Sequence, residues 1–243
     1  MDFLNIDSDV VQEEERDSTG GFKVFDTDIH EMIIKTAYLD KSEGGANNIT
    51  ILFETPKGDS FKLVEYITSK TGKNYYIDKK DGKTKRPMVG LVKMNSLSKL
   101  IKGTDLGKQV IEDKVHKIWD KSQSKEVPQT RKTFVEWKDQ VVHLGMHKII
   151  ENKSVKNDAW KEGMPNKERY LPTAETRESN VVDKYFDKNK ATNPEIEAGA
   201  EPAFFEDWLK VNKGVIKDKT DKSLKSGAPS AAGIPSTEPL EFD

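Results

Sequence analysis

The chain has 243 residues, of which 34% are hydrophobic and 34% are charged, so it is polar for a globular protein and its core is not expected to extend over the whole length. It contains no cysteine, which excludes disulfides, a thiolate nucleophile and cysteine-ligated zinc. The net charge of −2 by itself argues neither for nor against a polyanionic partner, because the charged residues are unevenly distributed.

The first twenty residues contain seven acids and one arginine, and a Gly20-Gly21 pair follows. We interpret residues 1–20 as an acidic N-terminal arm. The N-terminus has neither the basic nor the apolar region of a secretory signal, and no apolar run approaches the ~20 residues of a membrane span. We therefore expect a cytoplasmic protein that does not contact a membrane.

The next part of the chain, from residue 22 to residue 66, reads as a meander of strands joined by tight turns. Residues 49–53 are rich in β-formers, and apolar residues alternate with other side chains over 61–66. The glycine pair Gly44-Gly45 and the segment 56–59, which begins with proline, are turn signals between these runs.

A second hairpin is predicted around Asp81-Gly82, with one arm at 75–77 and the other at 83–88. Its arms are too basic for a core, so we expect a solvent-exposed finger. Apolar residues of 90–102 recur at spacings of three and four, which predicts a helix that ends at Gly103. A helix inserted midway through a strand meander is a familiar interruption in small β-barrels.

Strands are predicted to resume around 115–119, followed by a polar loop through Pro128 and by strand-like runs at 134–137 and 141–150. Beyond about residue 155 the β pattern is lost, Pro202 to Val211 predicts an amphipathic helix, and residues 218–237 have a disordered composition. We therefore divide the chain into the arm of 1–20, a β-rich domain of 21–155, an extension of 156–217 packed on it, and a disordered linker with an acidic tail of 218–243.

The strongest functional signal is the segment from Lys70 to Lys102, where ten basic residues face only two acids, a net charge of +8. Basic charge interleaved with aromatic rings suits a nucleic acid, because cations neutralise phosphates and rings stack under bases. Tyr75 and Tyr76 are neighbours on a predicted strand and face opposite sides, so at most one of them stacks on a base. We expect nucleic-acid contacts from these residues: Lys70, Lys73, Tyr75, Tyr76, Lys79, Lys80, Lys83, Lys85, Arg86, Arg131, Lys132 and Phe134.

Phe134 is included because it follows Arg131 and Lys132, whereas Trp119 and Trp137 are expected in the core. His143 and His147 are four residues apart, a spacing that could share a metal on a helix. They lie in a strand-like run with no third ligand nearby, so no metal and no other cofactor is expected.

The chain resembles the single-stranded DNA-binding proteins of bacterial viruses. The features that carry this resemblance are the acidic arm, the strand meander with its inserted helix, the basic hairpin with paired tyrosines, and the acidic tail with Phe242. The resemblance covers about residues 20–155 and the last five. It implies a mainly β fold, an OB-fold-like five-stranded barrel with an inserted helix, a basic hairpin, a helical C-terminal extension and a disordered tail. It also implies non-catalytic, sequence-independent binding of single-stranded DNA in replication, recombination and repair, in the host cytoplasm.

In that family the tail recruits replication proteins such as a polymerase or helicase, and it competes with DNA for the binding groove. By resemblance these roles fall on Leu240, Glu241, Phe242 and Asp243. The tail holds only Glu238, Glu241 and Asp243 as acids, which favours the partner role over the competitive one. The oligomeric state is left open, a homo-oligomer included.

Two other functions stay as alternatives. Acidic pairs such as Asp26/Asp28 and Glu14/Glu15 could bind the metal of a divalent-metal-dependent nuclease. A virion or scaffold protein could use the same basic hairpin to contact packaged DNA. A phosphate-binding loop is excluded, because the glycine that Gly82-Lys83-Thr84 would need five residues earlier is Ile77.

Overall fold

The computed structural model describes residues 23–120, 122–165 and 168–224. Strands predominate in it, so the prediction of a mainly β fold is confirmed. In chain order the elements are β1 (Asp28–Lys41), β2 (Asn47–Glu54), β3 (Ser60–Tyr66), β4 (Tyr75–Ile77), β5 (Lys85–Pro87), α1 (Val89–Lys102), β6 (Ile111–Asp120), β7 (Lys125–Phe134), β8 (Val141–Lys156), β9 (Tyr170–Phe186), α2 (Asn193–Ala198), α3 (Phe204–Asn212) and β10 (Lys217–Asp218).

The first three strands form the antiparallel meander that the sequence predicts, β1 with β2 and β2 with β3. Side chains alternate between the two faces of a strand, so Ile51 and Phe53 are buried while Leu52 between them is exposed. The turn between β2 and β3 lies at the predicted segment 56–59. Its Gly58 has a φ of 87°, a left-handed conformation that glycine adopts without strain.

β6 and β7 form a long antiparallel ribbon that meets the rest of the sheet only near its base. Ten residue pairs join the two strands, whereas the pairing of β7 with β1 is limited to Thr133 opposite Tyr38. The predicted polar loop through Pro128 is wrong, because Pro128 lies within β7, opposite Lys117. Proline is tolerated in an edge strand, where its missing N–H removes no ladder hydrogen bond.

β9 is the strand that the sequence interpretation missed. It runs antiparallel to β8 from Phe186 opposite His143 to Tyr170 opposite Lys156, so the loss of β structure expected beyond about residue 155 is wrong. Within β9 only Val182, Tyr185 and Phe186 are buried. Because both faces of the strand are otherwise exposed, its sequence lacks the apolar alternation that marks a half-buried strand.

The strand pairing of the described residues leaves the sheet open. β1 lies in the middle, with β2 on one side and β8 and the base of β7 on the other. Within the described ranges β3 pairs only with β2, β6 only with β7, and β9 and β10 only with β8, so the sheet has free edges at these strands. The structure therefore has an antiparallel sheet, and a closed five-stranded barrel is not shown.

Helix α1 covers one face of the meander. It begins at Val89 and ends at Lys102, as the apolar spacing predicts, and Gly103 follows in the left-handed conformation with its N–H on the carbonyl oxygen of Lys99 at 2.7 Å. Met94 and Leu97 of this helix are fully buried. They belong to a core with Met32, Ile34, Ile49, Ile51, Phe53, Phe134, Trp137 and Leu144.

A second apolar cluster holds α3 against the sheet. Phe205 and Trp208 of α3 pack with Phe186 at the end of β9. The helix predicted from Pro202 to Val211 is confirmed, with its start at Phe204. The short helix α2 was not predicted. It begins in a capping box, in which Thr192 and Glu195 satisfy each other's backbone N–H groups.

Residues 217–221 lie along β8. β10 pairs with Ile149 and Ile150 in parallel, and the N–H of Asp221 donates to the side-chain oxygen of Asn152 at 2.6 Å. The predicted start of disorder at residue 218 is therefore wrong as far as Leu224.

The predicted acidic arm of 1–20 and the tail residues Leu240, Glu241, Phe242 and Asp243 lie outside the described residues. None of the helices in the described part of the chain combines the length and the apolar character that crossing a bilayer would require.

Candidate nucleic-acid interface

The basic hairpin, residues 75–87, forms a small two-stranded sheet of its own, as the Asp81-Gly82 signal predicts. β4 and β5 pair antiparallel, with Tyr75 opposite Pro87 and Ile77 opposite Lys85. At its base the N–H of Met88 donates to the carbonyl oxygen of Asn74 at 3.0 Å.

Both acids of this hairpin are used to hold its shape. The Asp81 carboxylate accepts hydrogen bonds from the Thr84 hydroxyl and from the backbone N–H groups of Lys83 and Thr84, the latter two at 2.9 Å. These bonds, that of the hydroxyl foremost, lower the pKa of Asp81 to about 2. Asp78 accepts a hydrogen bond from Arg86 Nε at 3.0 Å.

The nine lysines of the 70–102 segment fall into two groups. In α1 three lysines each lie 3.0 Å from a glutamate, namely Lys93 with Glu65, Lys99 with Glu197 and Lys102 with Glu136. No described carboxylate lies within 4 Å of the ammonium groups of Lys70, Lys73, Lys79, Lys80, Lys83 and Lys85. All six of these lysines are exposed. Only the second group offers cations that a phosphate could neutralise without first breaking an ion pair.

The paired tyrosines face different environments, as neighbours on a strand must. Tyr76 is 50% exposed, whereas Tyr75 is half-buried and has the ammonium group of Lys85 over its ring, 4.7 Å from the centroid. Tyr76 is therefore the ring of the hairpin that is open to a base.

Arg131 and Lys132 line a groove of about 710 Å³ beside the turn between β1 and β2. Arg131 Nε donates to Asp40 Oδ1 at 3.0 Å, and its guanidinium also bonds the side chain of Gln129. Arg131 is thus held in place and partly neutralised, while Lys132 is exposed. Lys41, which the sequence interpretation did not single out, lines the same groove, because β1 brings it beside β7.

Lys70 connects the hairpin side of the molecule to this groove. A Cβ atom at Gly44 would lie 3.2 Å from Lys70 Cε, and one at Gly45 would lie 3.2 Å from the Lys70 carbonyl oxygen and 3.9 Å from Lys41 Cε. Lys70 and Lys41 therefore flank the same turn. The fold therefore brings Lys70, which precedes the hairpin, next to Lys41 of the groove.

Known proteins offer no further guidance to this surface. No family model matches the chain, and no match is found among curated proteins or solved structures. The unpaired lysines, the exposed ring and the groove are the features that speak for a function.

The assignment of Phe134 as a base-stacking residue is wrong. Its side chain is only 2% exposed and stacks on Trp137 with ring centroids 4.6 Å apart, so a base has no access to it. Phe134 ends β7 where the ribbon meets β1, and its position there carries it into the core. The expected burial of Trp137 is confirmed.

Trp119 is the reverse case. It was expected in the core, but it is 60% exposed near the free end of β6, where the ribbon has no sheet to pack against. The sequence interpretation therefore missed an exposed ring. The one sequence feature that indicates exposure of Trp119 is the charged composition of β6 and β7.

The histidines of β8 make structural contacts. His143 Nδ1 lies 3.0 Å from the carbonyl oxygen of Asp187, and the ring of His147 lies 5.2 Å from that of Trp208. Burial, together with the nearby charge of Lys217, lowers the pKa of His147. In residues 23–120, 122–165 and 168–224, no group of three or more His, Asp or Glu side chains is placed to hold a metal ion.

Proposed function

We propose that this protein binds single-stranded DNA without sequence preference and holds the strand without cleaving it. The observation that carries the proposal is the difference between the lysines of α1, which are paired with glutamates, and those of the basic hairpin and of residues 70–73, which have no described acidic partner. Exposed ammonium groups without an ion-pair partner contribute most to the affinity for a phosphate backbone, because neutralising the phosphates releases condensed counterions.

An exposed ring beside these cations favours a single strand over a duplex. Tyr76 stands on the hairpin that carries Lys79, Lys80 and Lys83. Bases in a duplex are stacked on one another, whereas a single strand offers base faces to aromatic side chains, and such stacking tolerates any base. The groove at Lys41, Arg131 and Lys132 would receive the strand as it leaves the hairpin.

The resemblance to the single-stranded DNA-binding proteins of bacterial viruses supports a role in replication, recombination and repair in the cytoplasm of a host cell. On the same ground we propose that residues 240–243 recruit a polymerase or helicase. Deleting residues 239–243 is expected to leave DNA affinity unchanged or tighter and to abolish stimulation of the partner enzyme. An open antiparallel sheet is sufficient for this proposal, which does not require a closed OB-fold barrel.

The test is a titration of labelled dT oligonucleotides and of a matched duplex, followed by fluorescence anisotropy at two salt concentrations. We expect tighter binding of the single strand and a steep loss of affinity with salt, since each phosphate contact adds about 0.7 to the slope of log K against log salt. Equal binding of the duplex would favour a packaging protein. Cleavage of the strand in the presence of magnesium would favour a nuclease, and salt-independent binding would also overturn the proposal.

A further inference from the structure

The connection between β8 and β9 forms a second pocket, of about 550 Å³, which we call the Trp160 pocket. Its described lining consists of Lys70, Trp160, Glu162, Gly163, Met164 and Arg169. The connection is closed by hydrogen bonds across its base. Asn157 donates its backbone N–H to the carbonyl oxygen of Arg169 at 2.9 Å and its side-chain amide to that of Glu168 at 2.8 Å.

The ring of Trp160 is held in a fixed orientation. Its Nε1 donates to the carbonyl oxygen of Pro165 at 3.2 Å, and its backbone N–H donates to that of Asn157 at 3.0 Å. The guanidinium carbon of Arg169 lies 5.1 Å from the Trp160 ring centroid and 6.0 Å from that of Tyr170. A planar cation and a tryptophan ring thus stand together at the pocket, an arrangement in which Arg both stacks and binds phosphate.

Arg169 also has unused hydrogen-bonding capacity. Its Nε is buried and has no hydrogen-bond partner among the described residues. No described carboxylate lies within 4 Å of the charged groups of Arg169 or Lys70, although Glu162 belongs to the pocket wall. A buried donor without a hydrogen-bond partner destabilises the folded protein. An anion bound in the pocket could accept a hydrogen bond from Arg169 Nε and remove this cost.

We infer that the Trp160 pocket binds one nucleotide of the single strand, with the base against Trp160 and the phosphate between Arg169 and Lys70. The inference rests on the proposed function and extends it to the connection between β8 and β9, which the distribution of charge along the sequence does not mark as a binding site. Lys70 is the link, because it lines this pocket and also lies against the turn at Gly44 that borders the Arg131 groove. The strand would therefore run from the groove past Lys70 into the pocket.

Tryptophan fluorescence provides the first test, because Trp137 and Trp208 are buried, whereas Trp119 is exposed and Trp160 is half-buried. The Trp119→Phe and Trp160→Phe proteins are titrated with dT oligonucleotides. We expect quenching to persist in Trp119→Phe and to be lost in Trp160→Phe. Quenching of Trp160→Phe that equals that of the wild type would overturn the inference, whatever Trp119→Phe shows.

Affinity measured by anisotropy of a labelled oligonucleotide provides the second test. Stacking energies per base predict that Trp160→Ala weakens binding by roughly 5- to 150-fold, while Trp160→Phe, which keeps a ring, stays close to the wild type. Arg169→Lys keeps the charge and loses the planar fork, so it is expected to weaken binding as well. Trp160→Ala with unchanged affinity would reject the pocket.

The two tests separate this inference from the function on which it rests. If the wild type binds no single strand at low salt, the proposed function fails. If the wild type binds and Trp160→Ala and Arg169→Lys bind equally well, only the pocket assignment fails. Trp160 lies in a surface loop, and the thermal melting of each variant shows whether the fold is retained.

Discussion

Gly90 at the start of α1 lies directly against the backbone of Tyr66 at the end of β3. A Cβ atom at position 90 would stand 2.2 Å from the Tyr66 carbonyl oxygen and 3.0 Å from its carbonyl carbon, closer than any side chain permits. These two residues flank the segment that contains the basic hairpin, β3 before it and α1 after it. Their contact therefore holds together the two elements between which the hairpin is inserted.

This contact predicts that Gly90→Ala destabilises the protein by about 1–3 kcal/mol or more, because α1 must shift away from β3. The measurement is urea unfolding followed by circular dichroism. Gly107→Ala is the matched control, since a Cβ atom there meets nothing within 4 Å. Equal stability of the two variants would show that α1 does not approach β3 as closely as described.

The placement of the lysines predicts a difference between two double variants that remove the same charge from the same segment. Lys79→Ala/Lys80→Ala is expected to lower the salt slope of single-strand binding by about 1.4, because each phosphate contact adds about 0.7. Lys99→Ala/Lys102→Ala removes lysines already paired with Glu197 and Glu136, so its slope should stay near that of the wild type. Equal reductions would mean that net charge, and not the hairpin, governs binding.

The exposed ring of Tyr76 predicts an effect on binding without an effect on folding. Tyr76→Ala is expected to weaken single-strand binding by about 1–3 kcal/mol through the loss of base stacking. Tyr76→Phe, which keeps the ring, should bind like the wild type. The anisotropy titration is repeated with both variants, and an alanine variant of unchanged affinity would remove Tyr76 from the interface.

The buried ring of Phe134 predicts the opposite pattern. Phe134→Ala should lower the free energy of unfolding by about 3–5 kcal/mol, since it opens a cavity beside Trp137 in the core. Its affinity for dT oligonucleotides, measured at a temperature where the variant is folded, should be unchanged. A loss of affinity with unchanged stability would restore Phe134 as a base-stacking residue.

Burial lowers the pKa of His147, and Lys217 and Lys219 add to this effect while Asp183 opposes it. The folded protein therefore favours the neutral ring, so this contribution to stability is complete above the unfolded pKa of about 6.5 and is lost as the pH falls through the lower folded pKa. We expect urea unfolding of the wild type to show less stability at pH 5 than at pH 7, with a smaller loss in His147→Gln. An identical loss in both proteins would assign the pH dependence to other groups.

Local signals predicted the elements that depend on local geometry. Asp81-Gly82 allows a tight turn, and the spacing of Met94 and Leu97 with Gly103 after them specifies a helix and its end. By contrast, β7 with Pro128 and β9 with its exposed faces were missed. The sequence pattern of each of these two strands is weak, and each is held in the sheet by pairing with a partner strand, β7 with β6 and β9 with β8.

The sequence by itself determined that a strongly basic hairpin with two tyrosines precedes a helix in a mainly β chain, because charge, turn residues and periodicity are local properties. Only the tertiary structure decided which cations and rings are available. Lys99 is paired because Glu197 folds back beside it, and Phe134 is buried while Trp119 is exposed because one lies at the base of the ribbon and the other near its free end. Burial and ion pairing depend on residues far away in the chain, and their positions follow from the fold and not from the neighbours in sequence.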